Sequence, residues 1–215
     1  MITNKYSEGT PLSTIYQPWI DKDFLYNILN SISHMSFLEG ATETNEMIFC
    51  FSELLRYCTE RSDNFPTLKE DLAHIEKYLY LQKIRLAHRL NYSIHLAEDA
   101  ADFRIPSMVL FPLVENAIVH GIEPNLDGGA LSIDVSLRLK SICIIIKDTG
   151  CGLNKDTFQA AMNNVDSEEY SSLKHIYDQL KLYYKQGFSL MLQSEKSKGT
   201  SIELNIPQLK DLAPL

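Results

Sequence analysis

The sequence predicts an α+β protein in which a helical hairpin precedes an α/β domain. Two helix-length segments near the N-terminus carry apolar residues three and four positions apart, whereas the later chain alternates strands with helices. One segment, SICIIIKD at 141–148, is almost continuously apolar and is typical of a strand covered on both faces. These patterns predict a helical region at 1–64 and an α/β domain, with its connecting helix, at 65–215.

The two N-terminal helices are expected at about 15–37 and 44–61, with the loop GATETNE between them. Each carries an apolar seam, formed by Leu25, Ile28, Ile32 and Met35 in the first and by Met47, Phe51, Leu54 and Cys58 in the second. A lone hairpin would leave these seams in water. We therefore expect a homodimer formed through the hairpin.

The α/β domain is expected to form an antiparallel or mixed sheet with helices on one face. Helices are predicted at 68–90, at 106–122 (starting at Pro106 and stopping at Gly121) and at 173–184. Strands are predicted at 92–98, 128–137, 141–148, 187–195 and 199–207.

Composition restricts the functional classes. The net charge of -8 gives no indication of a nucleic-acid partner. The four cysteines lack metal-ligand spacing and are typical of reduced thiols in a cytoplasmic protein. No apolar run has the ~18 residues of a membrane span, and the N-terminus lacks a signal peptide. We expect a cytoplasmic chain, either soluble by itself or the cytoplasmic portion of a membrane-bound receptor.

A polar turn follows the apolar strand. Asp148 ends that strand, and its carboxylate could accept a hydrogen bond from the amino group of an adenine. Gly150 and Gly152 would allow close backbone approach and positive φ. Taken alone, the DxGxG pattern fits an ordinary turn better than a nucleotide site.

A second group of candidates lies on the helix predicted at 106–122. Asn116 and His120 are four residues apart and share a face, where an amide oxygen and an imidazole could reach Mg²⁺ and a phosphate chain. Asn116 has apolar neighbours, so it is expected to be partly buried and to need a partner. Gly199 and Thr200 precede the last strand, where a hydroxyl could contact the same base.

The order and spacing of several short motifs along the chain are characteristic of one protein family. PLVENAIVHGI, DTGCGL and KGTSIELNIP together resemble the ATP-binding domain of sensor histidine kinases. Upstream, DFLYNILNSI, LLRY and YLYLQKIRLAHRL resemble the LytS/YehU type, and the resemblance covers about residues 17–207. It implies a dimeric hairpin followed by an α/β sandwich ATPase domain of the histidine kinase/gyrase/Hsp90 type. It also implies ATP and Mg²⁺ as cofactors and a response regulator, of the LytTR type, as partner.

The resemblance assigns roles to matching positions. Asn116 matches the Mg²⁺-binding asparagine and His120 its usual partner, while Glu115 beside them is a catalytic candidate. Asp148 matches the adenine-binding aspartate of the first glycine box. The remaining matches are Gly150 and Gly152 in that box, Gly199 and Thr200 in the closing Gly-Thr, and Phe24, Leu25, Asn27, Leu29 and Asn30 in the acceptor helix.

Three departures from the family pattern stand out. Asp23 occupies the phosphoacceptor position, because the sequence has Asp-Lys-Asp at 21–23 where the family has Asn-Pro-His. The second glycine box, close to GxGLxN in the family, reads YSSLKH at 170–175 and has lost both glycines. Phe111 replaces a common glutamine.

We therefore expect a histidine kinase core, an ATP-dependent protein-histidine phosphotransferase by family, with autophosphorylation impaired. One alternative is a non-catalytic pseudokinase that acts as a dimerisation and docking module for a response regulator or a partner kinase. Another is an ATP-hydrolysing relative without phosphorelay. Asp23 fits a solvated surface carboxylate better than a replacement acceptor, and His34 likewise fits a surface histidine better than a displaced acceptor.

Overall fold

The computed structural model describes residues 21–59, 65–139, 141–152 and 171–207. The chain divides into two compact units, residues 1–52 and 53–215, which are considered separately. The helices are α1 (Lys22–Leu38), α2 (Thr42–Thr59), α3 (Leu68–Leu86), α4 (Phe111–Asn116, continued by a π-helix at Ala117–Ile122) and α5 (Ser171–Tyr184). The strands are β1 (Leu90–Leu96), β2 (Gly129–Arg138), β3 (Ser141–Asp148), β4 (Ser189–Glu195) and β5 (Gly199–Pro207).

The first unit contains α1 and the beginning of α2. Asp21 has extended backbone angles (φ -69°, ψ 145°), so α1 begins at Lys22 rather than near residue 15 as predicted. The segment 15–20 lies outside the described residues. Gly40, with φ 72°, lies in the turn between the helices. Across the pair, the Ser33 hydroxyl donates to Asn45 Oδ1 at 2.5 Å, which supports the predicted hairpin.

The second unit is built on a mixed five-stranded sheet, as predicted. The strand order is β1-β2-β3-β5-β4, in which β1 and β2 are parallel and the other neighbours are antiparallel. β3 and β5 have the bounds that the sequence predicts. α3 ends at Leu86 rather than Leu90, because Ala87 adopts φ 52°, which a right-handed helix cannot continue.

The hydrophobic core covers one face of this sheet. Alternate residues of β2, β3 and β5 join side chains of α3, α4 and α5 in one buried cluster. Full burial of each such aliphatic side chain contributes about 1.5–3 kcal/mol to folding. The central members are Leu131, Ile133, Ile142, Ile144, Ile146, Ile202, Leu204, Leu113, Ile118, Ile176 and Leu180.

The opposite face of β3 is covered more thinly. Cys143 is fully buried there and Ile145 is half-buried. Glu203 of β5 lies over Cys143, with Oε1 3.7 Å from Sγ, and forms an ion pair with Arg138 at 3.2 Å. The long apolar run of β3 is therefore shielded on this face by side chains of neighbouring strands.

The helix predicted at 106–122 begins later than expected. Pro106 does not start it, because Met108 has φ 63° and breaks any right-handed helix at that point. The helix begins at Phe111, with Pro112 in its first turn, where a missing backbone N–H costs nothing. Among the described residues no helix is long and apolar enough to cross a bilayer.

Candidate functional site

Three segments that are distant in sequence meet at the end of β3. Asp148 lies against Gly121 of the π-helix, since a Cβ built on Gly121 would be 2.8 Å from Asp148 Oδ1. Gly199, at the start of β5, is closer still, since a Cβ built on it would lie 2.0 Å from the Asp148 carbonyl oxygen. The predicted base-binding residues are therefore brought together.

The Asp148 carboxylate is buried and held by hydrogen bonds. Its Oδ1 accepts from the Gly150 N–H at 2.8 Å, and Thr200 donates from its backbone and hydroxyl. Burial raises the pKa of Asp148, although these hydrogen bonds oppose that shift. The carboxylate is thus a fixed acceptor at low exposure, as recognition of an amino group requires.

The glycines in this region permit close packing of backbone on backbone. A Cβ on Gly150 would lie 2.0 Å from the Gly121 carbonyl oxygen, and Gly121 accepts from the Cys151 N–H at 2.8 Å. Gly152, at φ 63°, would place a Cβ 2.1 Å from the Glu195 carbonyl oxygen. A side chain at either position would push the turn after β3 away from its neighbours.

The helix that meets Asp148 carries the remaining candidates. Asn116 is half-buried, in line with its apolar surroundings, whereas Glu115 and His120 are exposed. Residues 117–122 form a π-helix, with the Glu123 N–H donating to the Ile118 carbonyl at 2.8 Å. Such π-helical segments are frequent at functional sites.

Two arginines fix the end of this helix, and sequence reasoning did not assign them a role. Arg85 makes a two-pronged contact with the Glu123 carboxylate at 2.9 and 2.7 Å. Arg89 donates to the carbonyl oxygens of Glu123 and Asn125 at 2.6 and 2.8 Å. The only signal in the sequence was their spacing of four on a predicted helix.

Of the positions that depart from the family pattern, Phe111 begins α4, and the other two belong to α1 and to the segment at the start of α5. Asp23 is exposed in the first turn of α1, and His34 is exposed further along the same helix. The backbone of 171–175 is helical, as the beginning of α5. Tyr170, and the side chains of Ser171, Ser172, Leu173 and His175, lie outside what the structure describes.

The side chains of Asp148, Asn116 and His120 fit an adenine nucleotide with Mg²⁺. A buried carboxylate suits the base, and an amide with an imidazole one turn away suits a metal-bound phosphate chain. The helix end that packs on Asp148 keeps both parts in one framework. Within the described residues, no group of three or more His, Cys, Asp or Glu side chains could hold a metal ion alone.

Comparison with known proteins identifies the family. The family model described as "Histidine kinase" matches residues 14–90. Sensor histidine kinase YpdA of Escherichia coli (strain K12) is 31% identical over 192 residues, covering 89% of this chain and 33% of YpdA. The protein of Bacillus subtilis (strain 168) described as "Putative uncharacterized protein YwpD" is 31% identical over 212 residues, covering 96% of this chain and 74% of YwpD. The chain belongs to the sensor histidine kinase family.

A further relative is also a sensor histidine kinase. Sensor histidine kinase YesM of Bacillus subtilis (strain 168) is 26% identical over 191 residues, covering 89% of this chain and 32% of YesM. The chain thus spans about a third of the length of YpdA and YesM.

Solved structures of histidine kinases confirm the predicted fold class. The histidine kinase domain of the Erythrobacter litoralis EL346 blue-light activated kinase superposes with a TM-score of 0.50 at 11% identity, covering 85% of each chain. Acinetobacter baumannii histidine kinase AdeS superposes with a TM-score of 0.50 at 15% identity, covering 91% of this chain and 88% of AdeS. At such identities the likeness concerns the fold alone.

Proposed function

We propose that this chain is the core of a two-component sensor histidine kinase of the LytS/YehU type, which binds Mg-ATP but phosphorylates itself poorly or not at all. The observation that carries the proposal is the meeting of Gly121, Asp148 and the Gly199–Thr200 pair around one buried carboxylate. These residues come from three segments that resemble the family's nucleotide motifs.

Each part of the site has a distinct role in binding. Asp148 accepts from the adenine amino group, and Asn116 would hold Mg²⁺ with His120 near the phosphates. Bound ATP supplies the phosphoryl group to be transferred. Glu115, exposed beside Asn116, is positioned on the helix to accept a proton from an attacking nucleophile.

The acceptor side of the reaction is defective. Asp23 is a carboxylate where the family has histidine, and a carboxylate can form an acyl phosphate. It is shorter than imidazole, however, and phosphoryl transfer depends on in-line positioning. Loss of both glycines in the second box removes further contacts to phosphate. Autophosphorylation is accordingly lost or much reduced.

The partners follow from the family. The hairpin forms a homodimer, and the catalytic domain serves phosphorelay to a response regulator of the LytTR type. The chain acts as the cytoplasmic portion of a signalling receptor or as a cytoplasmic protein. A pseudokinase that docks a response regulator or a partner kinase is the second candidate, favoured specifically by Asp23 at the acceptor position.

Calorimetry with ADP and Mg²⁺ tests nucleotide binding. We expect weak, Mg²⁺-dependent binding that falls about tenfold or more in Asp148→Asn, because the amide can present an NH₂ group to the adenine amino group. Asp134→Asn, the same change at an exposed position of β2, should bind as the wild type does.

The outcomes separate the candidate functions. Equal affinity in the wild type and Asp148→Asn would show that Asp148 is not the adenine contact. No binding by the wild type would favour the docking module. Steady ATP hydrolysis without any phosphoprotein would instead favour an ATP-hydrolysing relative.

A further inference from the structure

The apolar rows of three neighbouring strands each end in a polar residue. On the face of the sheet that carries the core, β3, β5 and β4 present isoleucine or leucine at alternate positions, and the next residues on that face are Asp148, Thr200 and Ser194. Ser194 is the Cα partner of Thr200. The β3–β5 ladder ends at Lys147 and Ser201, so Asp148 and Thr200 are the next residues on their strands. The three polar side chains therefore form one row across the end of the sheet.

Hydrogen bonds join the members of this row in a definite direction. The Thr200 hydroxyl donates to the Asp148 carboxylate. The hydroxyl oxygens of Ser194 and Thr200 are 2.9 Å apart, whereas Ser194 Oγ is 3.2 Å from the Gly199 carbonyl oxygen. Two hydroxyl oxygens at 2.9 Å need a proton between them, and the single hydroxyl proton of Thr200 is drawn to the carboxylate. Ser194 is therefore the donor to Thr200, which gives a hydrogen-bond relay from Ser194 through Thr200 to Asp148.

The turn that joins β4 to β5 is fixed against the loop that follows β3, which keeps the relay in register. Ser197 in this turn has φ 63°, and its backbone N–H donates to the Cys151 carbonyl oxygen at 2.6 Å. Gly152 packs on the end of β4, where a Cβ would lie 2.1 Å from the Glu195 carbonyl oxygen. The Ser194 hydroxyl thus belongs to the same rigid framework as the candidate nucleotide-binding residues.

We propose that Ser194 is a specificity-determining residue of the nucleotide site, which acts through Thr200 to orient the Asp148 carboxylate towards the 6-amino group of adenine. This inference rests on the proposed function. Ser194 does not contact the base and is a positioning residue. It lies outside the segments that resemble the family's nucleotide motifs, because the last of them, KGTSIELNIP, begins at Lys198.

The physical basis is the polarisation of one hydroxyl by another. A hydroxyl that accepts a hydrogen bond becomes a better donor, because hydrogen bonds in series strengthen one another. The proton that Ser194 donates to Thr200 therefore strengthens the bond from Thr200 to Asp148. Without it, the Thr200 hydroxyl can turn away and the carboxylate loses part of what fixes its orientation. The contact with the amino group of the base should weaken first, whereas contacts with sugar and phosphate should not change.

Two nucleotides that differ only in the 6-amino group test this specificity on the whole chain with Mg²⁺. ADP carries the amino group, and purine riboside 5′-diphosphate has hydrogen in its place. In Ser194→Ala, we expect the affinity for ADP to fall about fivefold and the affinity for purine riboside 5′-diphosphate to stay unchanged, as measured by calorimetry or competition NMR. A purely structural role of Ser194 would weaken both nucleotides equally.

Two further variants serve as rescue and control. Ser194→Thr keeps a hydroxyl and adds a methyl group that a strand tolerates, so it should bind both nucleotides as the wild type does. Ser201→Ala removes a hydroxyl next to Thr200 but on the opposite face of β5, and it should change neither affinity. Thermal melts of each variant establish that it is folded.

The relay is also measured without any nucleotide, as the pKa of the Asp148 carboxyl followed by carbon-detected NMR. Hydrogen bonds donated to a carboxylate favour its charged form, and those from Thr200 hold the pKa of Asp148 down against the effect of burial. Ser194→Ala should therefore raise this pKa, whereas Ser194→Thr and Ser201→Ala should leave it at the wild-type value.

The two measurements fail in different ways. An equal loss of affinity for both nucleotides in Ser194→Ala, or no loss for either, would overturn the specificity role. An Asp148 pKa that is the same in Ser194→Ala and the wild type would exclude the relay. If neither nucleotide binds the wild-type chain, the proposed function fails and the specificity role with it, while a raised Asp148 pKa in Ser194→Ala would still establish the relay.

Discussion

Gly121 packs directly against the carboxylate of Asp148. A Cβ at position 121 would lie 2.8 Å from Oδ1 and 3.0 Å from Cγ of that residue. Real Cβ atoms almost never come so close to a polar side chain, so the contact is available only to glycine. The helix of Asn116 and the end of β3 are thereby held in one arrangement.

Gly121→Ala should weaken ADP binding about tenfold or more. The added methyl must displace either the Asp148 carboxylate or the helix, and overpacking of this kind also costs about 1–3 kcal/mol of stability. Calorimetry measures the first effect and thermal unfolding the second. Val119→Ala, at an exposed position of the same helix, is the control and should bind ADP normally. Unchanged ADP affinity in Gly121→Ala would contradict a role for this contact.

The sequence was most informative where side-chain patterning determines the structure locally. β3 has the predicted bounds because its apolar run ends at the polar turn that begins at Thr149, and β5 because its alternating segment begins directly after the turn at 196–198. The predicted start of α4, at Pro106, was wrong because Met108 adopts a positive φ, and a methionine in the sequence gives no sign of that conformation. The predicted end of α3 was wrong for the same reason, because the sequence gives no sign of the positive φ of Ala87.

The residues of the candidate site were predicted from sequence motifs, not from hydrophobic patterning. Asp148 and Thr200 are 52 positions apart, and only the resemblance to a family placed them in one site before their hydrogen bonds were seen. Gly121 was interpreted as a helix stop, whereas it lies inside a π-helix and contacts Asp148. The sequence alone does not show whether a glycine is needed for close packing, as at Gly121, or for a positive φ, as at Gly40.

The exposed seam of the hairpin predicts a homodimer. Leu25, Ile28, Ile32 and Met35 are 36%, 43%, 46% and 60% exposed along α1. Such a row of large apolar side chains marks an interaction surface. Light scattering at tens of micromolar should give a dimer, and Ile32→Asp should shift it towards monomer. Asn30→Asp, which adds the same charge at an exposed polar position, should not. A monomeric wild type would defeat this prediction.

Asp71 predicts a pH-dependent stability. Burial raises its pKa from 3.8 to about 6 in the folded chain, so the protonated form is favoured on folding. Its contribution is then fully present below pH 4 and is lost as the pH rises through about 6. A shift from 3.8 to about 6 corresponds to roughly 2–3 kcal/mol.

Asp71→Asn should abolish this dependence, because an amide does not ionise. The free energy of unfolding by denaturant, measured for wild type and variant between pH 4 and pH 7, should show the wild type losing stability relative to the variant as the pH rises. Asp102→Asn, at an exposed position, should follow the wild type throughout. A constant difference between wild type and Asp71→Asn across this range would show that Asp71 is not the titrating group.

Phosphoryl transfer provides the last prediction. The wild-type chain should not label itself with γ-³²P-ATP in the acid-labile, base-stable form expected of phosphohistidine. If the acceptor is the only defect, Asp23→His should restore some labelling, because the seam of α1 and the Asn116 helix are in place. Asp21→His, two residues away, is the matched control and should stay unlabelled.

The second glycine box decides what a failure of Asp23→His means. If the lost phosphate contacts also matter, glycine at positions 170 and 172 together with Asp23→His should be required, and the repairs need not add. Strong acid-labile labelling of the unmodified chain would overturn the impaired-kinase proposal and make His34 the acceptor to test. A label that survives acid but not hydroxylamine would identify an acyl phosphate on Asp23, since a carboxylate attacks phosphorus to give that product.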